Sequence, residues 1–553
     1  MLKDERDQLL SKFQEKVEAD SPWRDLNNKT WYLNDGSLKL INEADNLHLF
    51  HPPKRFFWVK KKFFDAAYDN LSEYGVLIIR GPRRIGKTST LKYTIKRLIE
   101  EGRDPKSFFY ISLDETAFLE KLDSDILEEG IENIIKISAT LRPIFIILDE
   151  VTFCRGWARA IKNLVDRGTI RSGICLIATG SHSIDLSSAK SELSGRYGKL
   201  GDSVNGEMFF SQRRFIEIAE SLSDREFRSF YSQNIGDVGK RLGLLKYISG
   251  YSTQEDETKF GYKAKLDLLM EKFYERLHAA FEIYKITGGY PKAIFECTKS
   301  ILDHQTKTVT DARYKLDIYD LLVSDSKKFK LSEDTLKRIM LLFKYPSMEI
   351  SKDYSTFLNY LKEINLDELK KYLKYLKESG IISFFERISS KEEVDIASKN
   401  IMPKDLKHKI VFNDPAAFIA VFCCSRQQSE IQKSFEEAPK LDHDLLLESI
   451  VLSHLKQIPI SPIYENVGYI KLGEQKEELA DGLAWYYDAI EKQLIEIAVE
   501  VKNTDDTPKK ITDRVTALHE FHVKRLIIVS STKKLEIYPD YIIIPVELFL
   551  LLF

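Results

Sequence analysis

The sequence predicts an α/β protein built on a parallel sheet, and three neighbouring features predict it. Val76-Leu77-Ile78-Ile79 is a short apolar run rich in β-branched residues, the composition of a strand buried on both faces. A glycine-bracketed loop follows at once, and Ser89-Thr90-Leu91 leads into a helical pattern. A second apolar run, Ile144-Phe145-Ile146-Ile147-Leu148, ends in Asp149-Glu150. Strands that alternate with helical patterns pair in parallel, because each crossover helix returns the chain to the same end of the sheet.

The loop after the first strand carries the most specific chemistry. Gly81, Pro82, Arg83, Arg84, Ile85, Gly86, Lys87 and Thr88 match the P-loop pattern, set between a strand and a helix as that pattern requires. Gly81 and Gly86 free the backbone to turn its N–H groups toward phosphate oxygens, and the helix N-terminus at Ser89 adds positive potential. Lys87 is expected to neutralise the β- and γ-phosphates of ATP, and the Thr88 hydroxyl to bind Mg2+. The acids closing the second strand complete the site. Asp149 is expected to hold the magnesium ion and Glu150 to polarise the attacking water.

Composition sets the outer limits. The chain has 553 residues, enough for several domains with cores of their own. Its 43% hydrophobic fraction is that of an ordinary globular protein, which excludes a disordered or low-complexity chain. Net charge is −2 although 30% of residues are charged, so any nucleic-acid contact must come from local patches. Cys154, Cys175, Cys297, Cys423 and Cys424 show no metal-ligand spacing and suit a reducing compartment. The N-terminus MLKDERDQLL does not read as a signal peptide, and the apolar end IIIPVELFLLLF is too short to span a bilayer. A cytoplasmic protein without a membrane partner is expected, its last residues forming a closing strand and helix.

Taken in order, residues 1–50 form a helical lead-in whose first helix shows Leu9, Leu10, Phe13 and Val17 on one face. The nucleotide core is expected over 51–215. It opens with the basic-aromatic stretch HPPKRFFWVKKKFFDAAY, which is expected to pack on the core and to bring Phe or Trp near the adenine. After the acidic strand, Ile174–Thr179 is a further buried strand running into Gly180-Ser181. Thr179 and Ser181 are both candidates for the polar residue that, in ATPases of the AAA type that this order of motifs resembles, senses the γ-phosphate at this strand end. Arg196 is a candidate phosphate sensor or, from a neighbouring subunit, an arginine finger; a plain surface arginine is the alternative. Residues 216–314 are expected to be a helical lid, interrupted at Thr287-Gly288-Gly289-Tyr290-Pro291. Such a break stops one helix and starts the next, either as a plain turn or to return a helix N-terminus to the nucleotide.

Residues 315–410 read as a winged helix: three helical patterns and then the strand IISFFERI. The third helix is capped by Asn365 with Glu368 three residues on, shows Leu366, Leu369, Leu373 and Leu376 to the core, and closes at Gly380. Lys370, Lys371, Lys374 and Lys377 lie on its other sides and are candidate DNA contacts; a solvated lysine face is the bland alternative.

The last region, 411–553, opens at Phe412-Asn413-Asp414-Pro415. Glu448 shares a helical face with Val451, Leu452 and Leu455, where a carboxylate costs stability unless it meets a partner or a metal. Asp481 begins a strand-like stretch, and Glu500 and Lys502 share one face of LIEIAVEVK.

GPRRIGKTS, IIILDE, ATGSHS, SGRYGK and TGGYP, in that order, resemble the archaeal and bacterial AAA-related ATPases of the STAND-like group, over roughly residues 50–300. The resemblance implies Mg2+-dependent ATP binding and hydrolysis coupled to conformational change, with a helical lid, a winged helix and often a nuclease-like C-terminal domain. Glu448, Asp481 and Glu500-x-Lys502 resemble the PD-(D/E)xK nuclease superfamily, with Ala480 where that pattern has proline. That likeness implies an α/β restriction-endonuclease-like domain with acids holding magnesium and Lys502 near a scissile phosphate, or an inactive structural copy of it. Three functions follow: an ATPase acting on DNA, an ATP-regulated DNA nuclease, or a nucleotide-gated switch for a protein partner or a homo-oligomer.

Overall fold

The computed structural model describes residues 3–46, 54–114, 122–180, 189, 191–210, 212, 214–222, 225–302, 312–327, 330–343, 347–351, 354–388, 407–424, 443–456, 467–471, 478–488, 491–502 and 508–553. They form two compact units, 1–212 and 213–553.

In the first unit β1 (Gly75–Arg80), β2 (Phe108–Ser112), β3 (Ile144–Asp149), β4 (Ile174–Gly180) and β5 (Glu207–Phe209) make a five-stranded parallel sheet in the order β2-β3-β4-β1-β5. The apolar runs fill both faces: Val76 to Ile79 and Ile144 to Leu148 are all fully buried. This is the parallel sheet the alternating pattern predicts. β4 lies between the glycine-loop strand and the acidic strand, pairing Ile79 with Thr179 and Leu148 with Ala178.

The N-terminal region belongs to this unit. Leu9, Phe13 and Val17 are buried against the core, and the Phe13 ring leaves no room for a Cβ at Gly130 of the helix Ser124–Ile137. Residues 20–23 then cover the open edge of β2. Asp20 accepts from Ser112 N at 2.8 Å, Ser21 Oγ exchanges hydrogen bonds with the Tyr110 backbone, and Trp23 Nε1 donates to Phe108 O at 3.0 Å. An edge strand left bare would be a template for foreign pairing. The basic-aromatic stretch packs as expected: Phe63 and Phe64 are fully buried, and Phe64 lies 4.7 Å from the Phe145 ring.

The second unit opens with helices from Phe215–Leu222 to Pro291–Leu302. Glycine pairing at Gly288-Gly289 has a definite cause here. Gly288 adopts φ +55, a Cβ there would fall 2.0 Å from Asp414 Oδ1, and Gly289 N donates to Asp414 Oδ2 at 2.7 Å. The break in the helical pattern is thus docked on Asp414, which also caps the helix Pro415–Cys424 through Ala416 N.

Next come a helix (Glu333–Leu341), β6 (Ser347–Ser351), two helices (Ser355–Tyr360 and Leu366–Glu378), β7 (Ile382–Ile388) and β8 (Lys407–Phe412). The Leu366–Glu378 helix starts as its sequence predicts, with Asn365 accepting from Glu368 N at 2.9 Å, and Gly380 follows it at φ +72. β9 (Val467–Lys471), β10 (Glu478–Asp488), β11 (Gln493–Lys502), β12 (Leu526–Ser530), β13 (Glu536–Ile537) and β14 (Tyr541–Pro545) join the same sheet. Its order is β13-β14-β12-β11-β10-β9-β7-β8-β6. The sheet runs on across residue 410 because β7 pairs in parallel with β9. β14 and the buried helix Val546–Leu550 close the chain, as the apolar C-terminal run predicts.

Candidate nucleotide site and the acidic cluster of the second unit

The glycine loop leaves β1 beside the end of β5. Phe210 N donates to Arg80 O at 2.7 Å, and a Cβ on Gly81 would fall 2.0 Å from Phe210 O. Only glycine fits this approach. Gly86 takes φ +88, Arg84 takes φ +62, and Ile85 anchors the loop in the core. Lys87 begins the helix Lys87–Glu100, and Thr90 N donates back to Gly86 O, so the first-turn N–H groups face the loop. Lys87 is 5% exposed; its Nζ donates to Gly81 O at 2.8 Å and Pro82 O at 3.0 Å. Pro82 is buried, whereas Arg83, Arg84, Thr88 and Ser89 keep contact with solvent. The Ser89 hydroxyl donates to Ser37 O at 2.7 Å, and Lys92 one turn on meets Asp35 at 2.8 Å.

Asp149 ends β3 and is 2% exposed. Its hydrogen bonds come from three hydroxyls: Thr88 Oγ1 and Tyr110 OH on Oδ2, with Thr88 at 2.5 Å, and Thr179 Oγ1 on Oδ1. Burial and the Asp149 charge push the Tyr110 phenol well above its usual range, so it remains a donor. Hydroxyl and carboxylate oxygens in contact are the donor set a hard cation such as Mg2+ takes, so Thr88 and Asp149 fit the ion the glycine loop implies. Glu150 follows at φ +52, a costly left-handed conformation for a non-glycine residue, and its N–H reaches Thr179 Oγ1 at 3.4 Å.

Of the two strand-end candidates, Thr179 is fully buried with its hydroxyl on Asp149, and Ser181 lies outside the described residues. Arg196 donates to Asp166 at 2.7 Å and to Ser194 O at 3.1 Å. Tyr110 went unforeseen. Its signal was faint: a tyrosine hydroxyl within the apolar strand FFYIS, brought beside Asp149 only by strand pairing.

In the second unit two of the three expected acids gather, and Glu478 rather than Glu500 is the third member of the group. Glu448, on the helix His443–Leu455, and Asp481, on β10, come together with Glu478, one carboxylate oxygen of each lying within 4.8 Å of the others. Asp481 Oδ2 accepts from Val501 N at 2.7 Å, beside Glu500 on the paired strand. Glu500 is 5% exposed and meets Arg514 and, at 3.3 Å, Lys502. Burial, with Glu500 and Glu448 nearby, drives the Asp481 carboxyl well above the carboxylate range. Burial also raises Glu500, against the pull of Arg514 and Lys502.

Lys409 was not foreseen. Its Nζ lies 2.9 Å from Glu448, 2.5 Å from Glu478 and 4.0 Å from Asp481. Burial opposes its charge, but Glu448, Asp481 and Glu478 outweigh burial and raise its pKa. Parity carried no hint, since both faces of β8 are buried: His408, Ile410 and Phe412 on one, Lys409 and Val411 on the other. Lys370, Lys371 and Lys374 are exposed on their helix, whereas Lys377 lies 5.8 Å from the Phe384 ring. Among the described residues no helix is long and apolar enough to cross a membrane.

Residues 73–201 match the family model described as an AAA domain. No curated protein matches the chain. Among solved structures, the Walker-type ATPase of Pyrococcus abyssi is 13% identical, with 66% of this chain and 94% of that one covered at a TM-score of 0.38. The ORC2 protein of Aeropyrum pernix, in its ADPNP-ADP complexes, is 12% identical, with 71% and 97% covered at 0.30. RuvB of Thermotoga maritima is 15% identical, with 61% and 93% covered at 0.26. The family match over 73–201, with the glycine loop and Asp149 meeting at one edge of a parallel sheet, supports an AAA-type P-loop ATPase domain in this part of the chain.

Proposed function

We propose that the chain binds Mg2+-ATP at the loop Gly81–Ser89 and hydrolyses it, using the cycle to change its conformation on DNA. The contact between the Thr88 hydroxyl and Asp149 at 2.5 Å carries this reading, since it brings the P-loop and the acidic strand into one donor set. Phosphoryl transfer to water needs little covalent help from protein; it needs positioning and neutralised charge. Lys87 exchanges the carbonyls of Gly81 and Pro82 for β- and γ-phosphate oxygens. Backbone N–H groups of the loop cradle the phosphates. Thr88 and Asp149 would hold the magnesium ion, which would supply charge neutralisation to the phosphates. Glu150 orients and polarises the water, and the Thr179 hydroxyl ties its backbone to Asp149. Arg196 joins the reaction only by leaving Asp166. The test is phosphate release from ATP by the full chain and by Lys87→Ala; turnover unchanged in the variant would sink the assignment.

DNA action draws on the second unit. The order helix, strand, helix, helix, strand, strand over residues 333–412, with β8 between β7 and β6, supports reading this part as a winged helix. Its Leu366–Glu378 helix presents the exposed Lys370, Lys371 and Lys374. Replacing these three by alanine should weaken DNA binding at every sequence and cut the salt dependence of log Kd by about three ions. An unchanged slope in anisotropy titrations would leave the nucleotide-gated protein switch as the better reading. The helix bearing Glu448, with β10 and β11 bearing Asp481, Glu500 and Lys502, supports a PD-(D/E)xK-like module.

A further inference from the structure

Nuclease centres of the PD-(D/E)xK kind need a divalent cation held between carboxylates, where it activates water and steadies the leaving oxygen. Glu448, Glu478 and Asp481 have the spacing for such an ion. In this chain the position is served otherwise. The Lys409 ammonium reaches all three carboxylates, its side chain is 4% exposed, and the Tyr469 ring stands 4.9 Å from its nitrogen. Beside it Glu500 is met by Lys502 and Arg514. Among the described residues four carboxyl groups therefore meet three cations, and burial holds Asp481, one of the four, toward its neutral form. A divalent ion added there would leave the cluster with excess positive charge and sit within a few ångströms of the Lys409 ammonium. The residues do not fit a resident metal. An ammonium also lacks the Lewis acidity that turns water into a nucleophile at neutral pH.

We propose that Lys409 is a tethered counter-ion standing in the place of the divalent cation, so that this cluster binds no metal and cuts no phosphodiester bond. Its work is structural: it ties β8, the helix His443–Leu455 and β10 to one another through Glu448, Glu478 and Asp481. The inference leans on the PD-(D/E)xK-like reading only in naming the place Lys409 fills. The nuclease alternative falls with it, and the ATPase reading is untouched.

The test is Mn2+ binding, followed by electron paramagnetic resonance on the full-length nucleotide-free chain carrying Asp149→Asn to silence the P-loop. The parent should bind no Mn2+ and leave plasmid intact. Adding Lys409→Met should create one Mn2+ site per chain, lost again with Asp481→Asn. The same substitution should lower the melting temperature by about 5 °C in metal-free buffer, and Mn2+ should restore it. Mn2+ bound by the parent and lost with Asp481→Asn overturns the proposal while leaving the PD-(D/E)xK-like reading intact. A folded Lys409→Met chain without a Mn2+ site overturns the proposal and takes that reading with it. Should Lys409→Met fail to fold, the parent with and without Asp481→Asn decides alone.

Discussion

Asp149 and Asp481 are both strand carboxylates drawn away from water, and the chain surrounds them in opposite ways. Asp149 takes its hydrogen bonds from the neutral hydroxyls of Thr88, Tyr110 and Thr179. Those bonds orient the carboxylate without cancelling its charge, which suits it to a cation that comes and goes. Asp481 stands in a network whose charges are nearly balanced by Lys409, Lys502 and Arg514. Two acid groups of similar look in a sequence thus differ in the sign and mobility of what answers them. A carboxylate answered by hydroxyls is poised for a ligand. One answered by a buried ammonium is already satisfied.

That contrast can be broken at several points. The largest effect belongs to Lys87→Ala, which should lower ATP turnover about 10³-fold, since one cationic phosphate contact can carry that much in phosphoryl transfer; a steady-state phosphate assay reads it. Next come paired stability measurements. Lys409→Met should cost the second unit about 3–5 kcal/mol in denaturant unfolding, because it strands three carboxylates around an apolar side chain. Asp149→Asn in the nucleotide-free chain should cost under about 1 kcal/mol, since its partners are neutral donors. Equal costs at the two positions would erase the distinction.

A pH test comes third. Burial lifts the Asp414 carboxyl to about 7, against hydrogen bonds from Gly289, Ala416 and Ala417 N–H groups. Its folded pKa lies above its unfolded value near 4, so the native state holds the extra proton between them. Its contribution is full below about pH 4 and is lost as pH rises through 7, by up to about 4 kcal/mol. Asp414→Asn should flatten the fall in stability of the second unit between pH 4 and 7, as followed by thermal melts; an unchanged profile would remove Asp414 as its source. The smallest effect is that of Tyr110→Phe. Losing one of three donors to Asp149 should shift the apparent Mg2+ requirement of ATP hydrolysis only a few-fold, by about 1 kcal/mol.

Legibility in the sequence followed distance along the chain. The glycine loop, Lys87, Thr88 and the Asp149-Glu150 pair lie in short contiguous patterns whose spacing is itself the chemistry, and so they could be read directly. So could the Asn365 cap, the leucine face behind it and the buried C-terminal strand and helix. The partners of those acids could not. Tyr110 reaches Asp149 because β2 lies beside β3, and Lys409 reaches Glu478 although β9 and β7 intervene between their strands. The docking of Gly288-Gly289 on Asp414 spans more than a hundred residues in the same way.

What the sequence determined alone was the set of local structures and the strand–glycine loop–helix unit, because hydrophobic period, caps and a glycine loop act over a few residues. What only the tertiary structure decided was which charges answer one another: hydroxyls at Asp149, an ammonium among Glu448, Glu478 and Asp481. Strand order and register set those meetings, and a chain does not write its strand order in any one stretch.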